Sequence, residues 1–367
     1  MKIAISTNNC WNAYNFRKEL ILELLKKNNE VYILSKKDNY TDKIIQLGCK
    51  FYEIKIENHN FSIIDNIKSI LSYFYAFKKI RPDIYLGFTI KPNIYGSLVG
   101  YFFKFKKVNT VTGLGTSFLY SNMFIKFFVI FLYKISFYKS HKIVFHNKDD
   151  ENLFLKNKII NIEQSSVVPG SGINFNDYPK LTFKKSKNKT FIFLFVGRII
   201  KDKGIYELVE ASKKFKKKYS NYKIKIVGEI DMNNRSSLSL KKIKDWDKEK
   251  LIEYIGYKKN IKNLILESDC AVLPSYREGS SRFLLEAAAL EKPIICSNVP
   301  GCNNIVKDGF NGYLFNHKDI NSIFNAMMKI YELSFESKKQ FGINGREYVK
   351  KNFDVNIVIN EYLNIIY

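Results

Sequence analysis

Two stretches of this 367-residue chain set charged side chains beside glycines in ways that could serve chemistry. In REGSSRFLLE (277–286), Glu278 precedes an apolar run and Glu286 lies inside it. The run predicts a helix beginning near Ser280. Its first backbone amides, at Gly279, Ser280 and Ser281, would then face outward as an anion site, and Gly279 leaves room for close approach. Glu286 would lie about 10–12 Å along the axis. In GRIIKDKG (197–204), Gly197 permits a tight exit from the apolar run FIFLFV (191–196), Arg198 follows it, and Lys203 comes just before a new helical pattern. A guanidinium fork and an ammonium suit a diphosphate. Two carboxylates on either side of that diphosphate suit a sugar and the vicinal hydroxyls of a ribose. The layout is that of a sugar nucleotide.

Each stretch alone has a plainer explanation. Glu278 is an acid favoured by a helix dipole, and Arg198 and Lys203 are loop cations in a lysine-rich chain. Glu286 resists that explanation, because FLLEAAAL (283–290) reads as a buried helix and a buried carboxylate needs a partner. Together the two stretches favour function. DWD (245–247) has metal-motif spacing but sits in a charged helical run. The histidines His59, His141, His146 and His317 have no ligand spacing, so no metal site is predicted. No glycine-rich dinucleotide fingerprint follows KIAIS (2–6), which speaks against a nicotinamide oxidoreductase.

The elements that must position these residues alternate. Short β-rich runs at 2–6, 31–34, 51–54, 84–88, 109–112, 142–145 and 166–168 are separated by helical patterns, notably near 12–27, 61–80 and 122–139. After a charged stretch, KKSKNK (184–189), read as the linker, the alternation restarts with strands at 191–196, 223–227, 251–255, 270–273 and 293–296. This predicts an α/β protein of two tandem parallel-sheet units. In such sheets ligands bind beyond the carboxyl ends of strands, where both charged stretches fall. The five scattered cysteines suit reduced thiols rather than a disulfide framework, and MKIAISTNNC is too short in apolar residues for a signal peptide.

The chain carries 60 Lys and Arg against 35 Asp and Glu, a formal net charge of +25. Such a surface attracts nucleic acid, anionic lipid or anionic small molecules. MFIKFFVIFLYKISFYKSHK (123–142) is too interrupted by lysine to span a bilayer. With YFFKFKK (101–107) it reads either as core helix with snorkelling lysines or as an element lying in an anionic membrane surface. A nucleic-acid-binding protein also accounts for the charge, but it has no use for the carboxylate pair.

With these residues in view, the chain resembles a GT-B glycosyltransferase of family 4. GRIIKDKG matches that family's Gly-Arg-x4-Lys-Gly, PSYREGSSRFLLEAAALEKPII (274–295) its Glu-x7-Glu segment, VPGSGI (168–173) the domain junction and DGFNGYLF (308–315) a later turn. NFR (15–17), TGLGT (112–116) and EGSSR (278–282) are similar to bacterial members that extend lipid-linked oligosaccharides. The resemblance implies two Rossmann-like domains facing a cleft, 1–180 for the acceptor and 181–352 for the nucleotide-sugar, with 353–367 as a C-terminal helix packing back toward the first. It implies donor-diphosphate binding by Arg198 and Lys203, sugar binding by Glu278, ribose binding by Glu286 and a base site at Tyr254 and Ile255. Gly197 and Gly279–Ser281 complete the donor contacts. It further implies a retaining, metal-independent transfer without cofactor, from UDP-sugar by default and GDP-sugar next. The acceptor would be a lipid-linked or oligosaccharide glycan at the inner face of the cytoplasmic membrane, with no nucleic-acid partner. A sugar-nucleotide epimerase on the same architecture is the alternative. The chain departs from the family in STNNCWNAYNF (6–16) after the first strand, in lacking a histidine near Thr112, and in having Asn304 where a glutamate is common.

Overall fold

The computed structural model describes residues 1–56, 62–114, 123–180, 190–231, 234 and 236–367. The expected linker at 184–189, His59 and the end of TGLGT lie outside them. The chain divides into two compact units, Met1–Gly172 with Val355–Tyr367, and Ile173–Asp354. The first boundary falls within VPGSGINFNDYP (168–179), earlier than 180. The reason is local: the Ile173 amide donates to the Phe353 carbonyl at 2.8 Å, which ties the chain after Gly172 to the second unit.

In the first unit, β1 (Lys2–Asn9), β2 (Glu30–Lys36), β3 (Lys50–Glu53), β4 (Ile84–Phe88), β5 (Lys106–Val111), β6 (Lys142–Phe145) and β7 (Ser165–Val167) form one parallel sheet in the order β3-β2-β1-β4-β5-β6-β7. The order reverses beside β1, as right-handed crossovers on both faces require. Side chains alternate across it. Ile3, Ile5, Ile33 and Leu86 meet α1 (Cys10–Lys26) and α2 (Thr41–Gln46) on one face. Ala4, Leu34 and Tyr85 meet Tyr73, Ala76 and Phe77 of α3 (Ile63–Ile80) on the other. On that second face α4 (Met123–Phe137) and α5 (Lys148–Lys156) bury Tyr133, Phe137 and Phe154 against Ile143 and Phe145.

The second unit repeats the plan with β8 (Phe191–Val196), β9 (Tyr222–Val227), β10 (Glu253–Gly256), β11 (Cys270–Leu273), β12 (Ile294–Ser297) and β13 (Gly312–Phe315), ordered β10-β9-β8-β11-β12-β13. Its helices are α6 (Ile205–Lys216), α7 (Leu240–Lys248), α8 (Lys262–Glu267), α9 (Arg282–Ala289), α10 (Ile320–Glu332) and α11 (Phe335–Phe353). Phe193, Leu194 and Phe195 are fully buried, as an apolar strand between two helical layers should be. The last helix, α12 (Val355–Ile366), belongs to the first unit. Its stripe Val358, Tyr362, Ile365 and Ile366 packs in the α1 layer, and the Tyr362 and Thr110 hydroxyls bond at 2.7 Å.

Candidate active site

The two charged stretches meet at the carboxyl edge of the second sheet, one leaving β8 and the other leaving its neighbour β11. Gly204 caps α6 with φ +67°, and a Cβ there would stand 2.0 Å from the Pro274 carbonyl oxygen. Only glycine lets the loops close to this distance. The Tyr276 amide donates to the Asp202 carbonyl at 2.9 Å, and the Tyr276 hydroxyl to Glu207 Oε1 at 2.6 Å. Across this seam Lys203 Nζ forms an ion pair with Glu278 Oε1. The side chains are 17% and 14% exposed, so solvent screens the pair only in part.

The 278–281 stretch is pinned from its other side by the loop after β12. Glu278 donates its amide to the Pro300 carbonyl at 3.1 Å, and Ser281 to the Gly301 carbonyl at 3.0 Å. Gly301 has φ +78°, and a Cβ on it would come within 2.5 Å of the Glu278 carbonyl. Of the three amides expected to face an anion, that of Ser281 is therefore engaged. Ser281 is the N-cap of α9, its hydroxyl accepting from the Leu284 amide at 3.4 Å, and its own amide is taken by Gly301. The helix begins at Arg282, so Glu286 lies one turn inside it rather than two. Gly279 is buried and Ser280 half-buried.

Arg198 projects from the end of β8 with its side chain 55% exposed, 3.6 Å from Asp231 Oδ2. Gly197 continues the strand, donating to the Val227 carbonyl at 3.0 Å. The partner expected for Glu286 is Arg282, whose Nε lies 2.8 Å from Glu286 Oε1. Tyr178 is the third member. Burial, then the Glu286 carboxylate, pushes its phenol up, while the guanidinium opposes them. Arg282 in turn is held above its ordinary value, because Glu286 and Tyr178 outweigh the burial that lowers it. Tyr254 and Ile255 sit on the edge strand β10, two strands from β8, with Ile255 half-buried. The Tyr254 hydroxyl donates to the Gly228 carbonyl at 3.0 Å, which brings it to the end of β9. Beneath Glu278, Cys302 is buried against Cys296; that thiol contact and burial hold it far from ionisation.

Sequence reasoning passed over Asp231, Tyr178 and Arg282. Only Arg282 had a signal, its i,i+4 spacing from Glu286. It also passed over the polar atoms that this edge leaves unpaired. Ser280 Oγ, Ser297 Oγ, Asn304 Oδ1 and both carboxylate oxygens of Asp202 are buried without a hydrogen-bond partner. Unpaired buried polar atoms are scarce in folded proteins, so each of these calls for a partner such as water or a polar ligand. Asp245 and Asp247 lie exposed on α7 while Trp246 is buried, so DWD is a solvated helix face. Among the described residues no group of three or more His, Cys, Asp or Glu side chains could hold a metal ion.

Two family descriptions match the chain: Glycosyl transferase 4-like over residues 2–147, and Glycosyl transferases group 1 over residues 177–348. The N,N'-diacetylbacillosaminyl-diphospho-undecaprenol alpha-1,3-N-acetylgalactosaminyltransferase of Campylobacter jejuni is 25% identical, over 100% of this chain and 98% of that protein. The UDP-Gal:alpha-D-GlcNAc-diphosphoundecaprenol alpha-1,3-galactosyltransferase of Escherichia coli is 28% identical over 82% of each. Among solved structures, Anabaena HepE in complex with UDP and glucose superposes with a TM-score of 0.80 at 14% identity, covering 99% of this chain and 98% of that one.

Proposed function

Since the chain is a family 4 glycosyltransferase of the GT-B fold, we propose that it moves a sugar from UDP to a hydroxyl of a glycan carried on polyprenyl diphosphate. The carrier is borrowed from the relatives' acceptors, and UDP from the Escherichia coli relative's name and the HepE complex. The work is done from the inner face of the cytoplasmic membrane in surface-glycan assembly. Among the described residues no helix is long and apolar enough to cross a bilayer.

The observation that carries the site is the seam itself: Gly204 against Pro274, and Lys203 paired with Glu278. It brings Lys203 and Glu278 together at the carboxyl ends of β8 and β11, with Arg198 on the same loop. As the glycosidic bond to phosphate loosens, negative charge builds on the diphosphate. Arg198 and Lys203 meet that charge in the role a metal would otherwise fill. Glu278, released from Lys203, takes sugar hydroxyls and holds the anomeric carbon in line. Glu286, steadied by Arg282, takes the ribose, and the end of β10 at Tyr254 and Ile255 faces the base. A donor phosphate oxygen accepts the proton of the incoming hydroxyl on the same face, so configuration is retained.

A melting-temperature screen with UDP-, GDP- and ADP-sugars tests the donor, because a ligand bound only by the folded state raises the melting point. UDP-sugars should raise it, and Arg198→Ala and Lys203→Ala should each lower turnover by about a hundredfold or more while remaining folded. Full turnover in both variants would refute the site. Conversion of donor sugar without acceptor would favour the epimerase.

A further inference from the structure

Among the described residues 23 large apolar side chains are exposed, and twelve of them share one layer of the first unit. They lie on α3, on Phe102 and on α4, the elements that cover the face opposite α1 and α12. Ile67, Leu71 and Tyr75 line the outer side of α3, and Phe131 and Tyr138 that of α4 and its end. The 101–105 segment joins the two. Phe103 meets Phe74 of α3 with ring centroids 5.5 Å apart, and the Tyr101 hydroxyl donates to the Ile135 carbonyl of α4. Residues 62–106 and 127–142 hold ten lysines and arginines and two acids. Both acids are engaged: Asp65 lies 3.8 Å from Lys68, and Asp83 accepts the Lys2 amide at 2.7 Å.

At the end of this layer Lys78, Arg81 and Lys104 line a notch of about 450 Å³ with Phe102, Phe103 and Phe105. Asp83 and the carboxyl end of α3 also border it and oppose an anion. Three full positive charges exceed one engaged carboxylate and a helix end worth about half a charge. Phe102 is 77% exposed, so an apolar wall of the notch stands out from the surface.

We propose that this notch binds the headgroup phosphate of an anionic phospholipid, with the outer faces of α3 and α4 lying among the acyl chains. Charge selects the occupant. A second copy of this chain would bring the same basic face and repel it. A nucleic acid would leave Ile67, Leu71 and Ile135 without a use, since aliphatic side chains do not stack bases. An anionic bilayer satisfies both components: phosphates for the cations, and apolar depth for side chains ~5–10 Å below the headgroups. The proposal rests on the reading that the acceptor is membrane-borne, and it adds the surface and lipid that would hold the enzyme there.

Sedimentation of the full chain with vesicles of phosphatidylglycerol and phosphatidylcholine, against phosphatidylcholine alone, tests it. Wild-type protein should favour the anionic vesicles by at least about a hundredfold, at about 1 kcal/mol for each notch cation. Lys78→Ala/Arg81→Ala/Lys104→Ala should lose about that factor, and Leu71→Ser/Phe102→Ser/Phe131→Ser about tenfold or more. Lys217→Ala/Lys248→Ala/Lys250→Ala, an equal charge change on the second unit, should bind as wild type. Millimolar glycerol 3-phosphate should not release the protein. Equal binding to both vesicles, wild-type binding by the notch variant, equal loss in the control variant, or release by glycerol 3-phosphate would each overturn the proposal. Melting curves with UDP-sugar, run on every variant, keep the two readings separate. Donor stabilisation with no vesicle binding refutes only the lipid site, and vesicle binding with no donor stabilisation refutes only the donor reading.

Discussion

The ion pair between Lys203 and Glu278 separates a structural role from a catalytic one. Both side chains are mostly buried, at 17% and 14% exposure, so removing either partner leaves a charge that water compensates poorly. Breaking a fully buried pair costs ~3–5 kcal/mol; with this much residual exposure, Lys203→Ala or Glu278→Ala should each cost roughly 2–3 kcal/mol. The double variant leaves no orphaned charge, so it should recover about 1–2 kcal/mol relative to the sum of the singles. Activity should not follow. If Lys203 meets the departing diphosphate, its loss costs about a hundredfold to a thousandfold in turnover, the scale for one stabiliser of developing charge. Glu278→Ala adds a positioning loss that no second mutation restores. The assay is a double-mutant cycle read twice on the same preparations, by urea unfolding and by turnover at saturating donor. Stability that recovers without activity supports the assignment. A double variant that regains both, with turnover within a few-fold of wild type, would show the pair to be scaffold only.

Gly204→Ala should destabilise by roughly 3 kcal/mol in urea unfolding and weaken donor stabilisation, since its φ of +67° disfavours a side chain and its Cβ would press on the Pro274 carbonyl. Arg282→Ala should raise the donor KM by about tenfold with a smaller change in kcat, because Glu286 loses its bond to Nε, and Arg282→Lys should restore only part of it. Lys107 predicts a pH dependence. Burial, then Lys139, pushes its pKa from 10.5 down to about 8, with its Nζ 3.3 Å from the Ser97 carbonyl. Between pH 8 and 10.5 the unfolded chain holds a proton that the native lysine has lost, so stability from this group rises with pH through that window. Below pH 8 the buried charge costs roughly 3 kcal/mol. Lys107→Met should therefore be more stable than wild type at pH 7, and the advantage should shrink by pH 10; a variant less stable at pH 7 would contradict the assignment.

Continuous apolar runs made the strands legible: FIFLFV, CAVL and KIVF coincide with β8, β11 and β6, because a strand covered on both faces has no polar alternation to blur it. The start of α9 was less legible. Gly279, Ser280 and Ser281 are all acceptable caps by type, and the choice falls to Ser281 through its bond to Gly301, twenty residues away. Pairings across long separations, such as Lys203 with Glu278 or Arg198 with Asp231, leave no periodic trace. Arg282 with Glu286 does leave one. The outward face of α3 was hidden for another reason. The helix is apolar on two sides, and a sequence cannot say which of them meets the sheet until Tyr73, Ala76 and Phe77 are seen buried against Ala4 and Tyr85.

The pairing of charges at the site also bears on how a donor would be recognised as a unit. Its three cations are each held near a carboxylate: Arg198 by Asp231, Lys203 by Glu278 and Arg282 by Glu286. These six groups sum to no net charge, which spares the fold the repulsion of clustered cations. On the proposed reading, a diphosphate that draws Lys203 away leaves Glu278 with an unmet charge. A bare diphosphate therefore gains one contact and strands another. A diphosphate that brings a sugar answers both, because its hydroxyls donate to Glu278 as its phosphates accept from Lys203. Arg282 and Glu286 differ: four residues apart on one helix and grouped with Tyr178, they need not part for Glu286 to meet a ribose hydroxyl, because each carboxylate oxygen accepts more than one hydrogen bond. Discrimination for an intact sugar nucleotide then arises from the exchange of partners at one pair and their retention at the other.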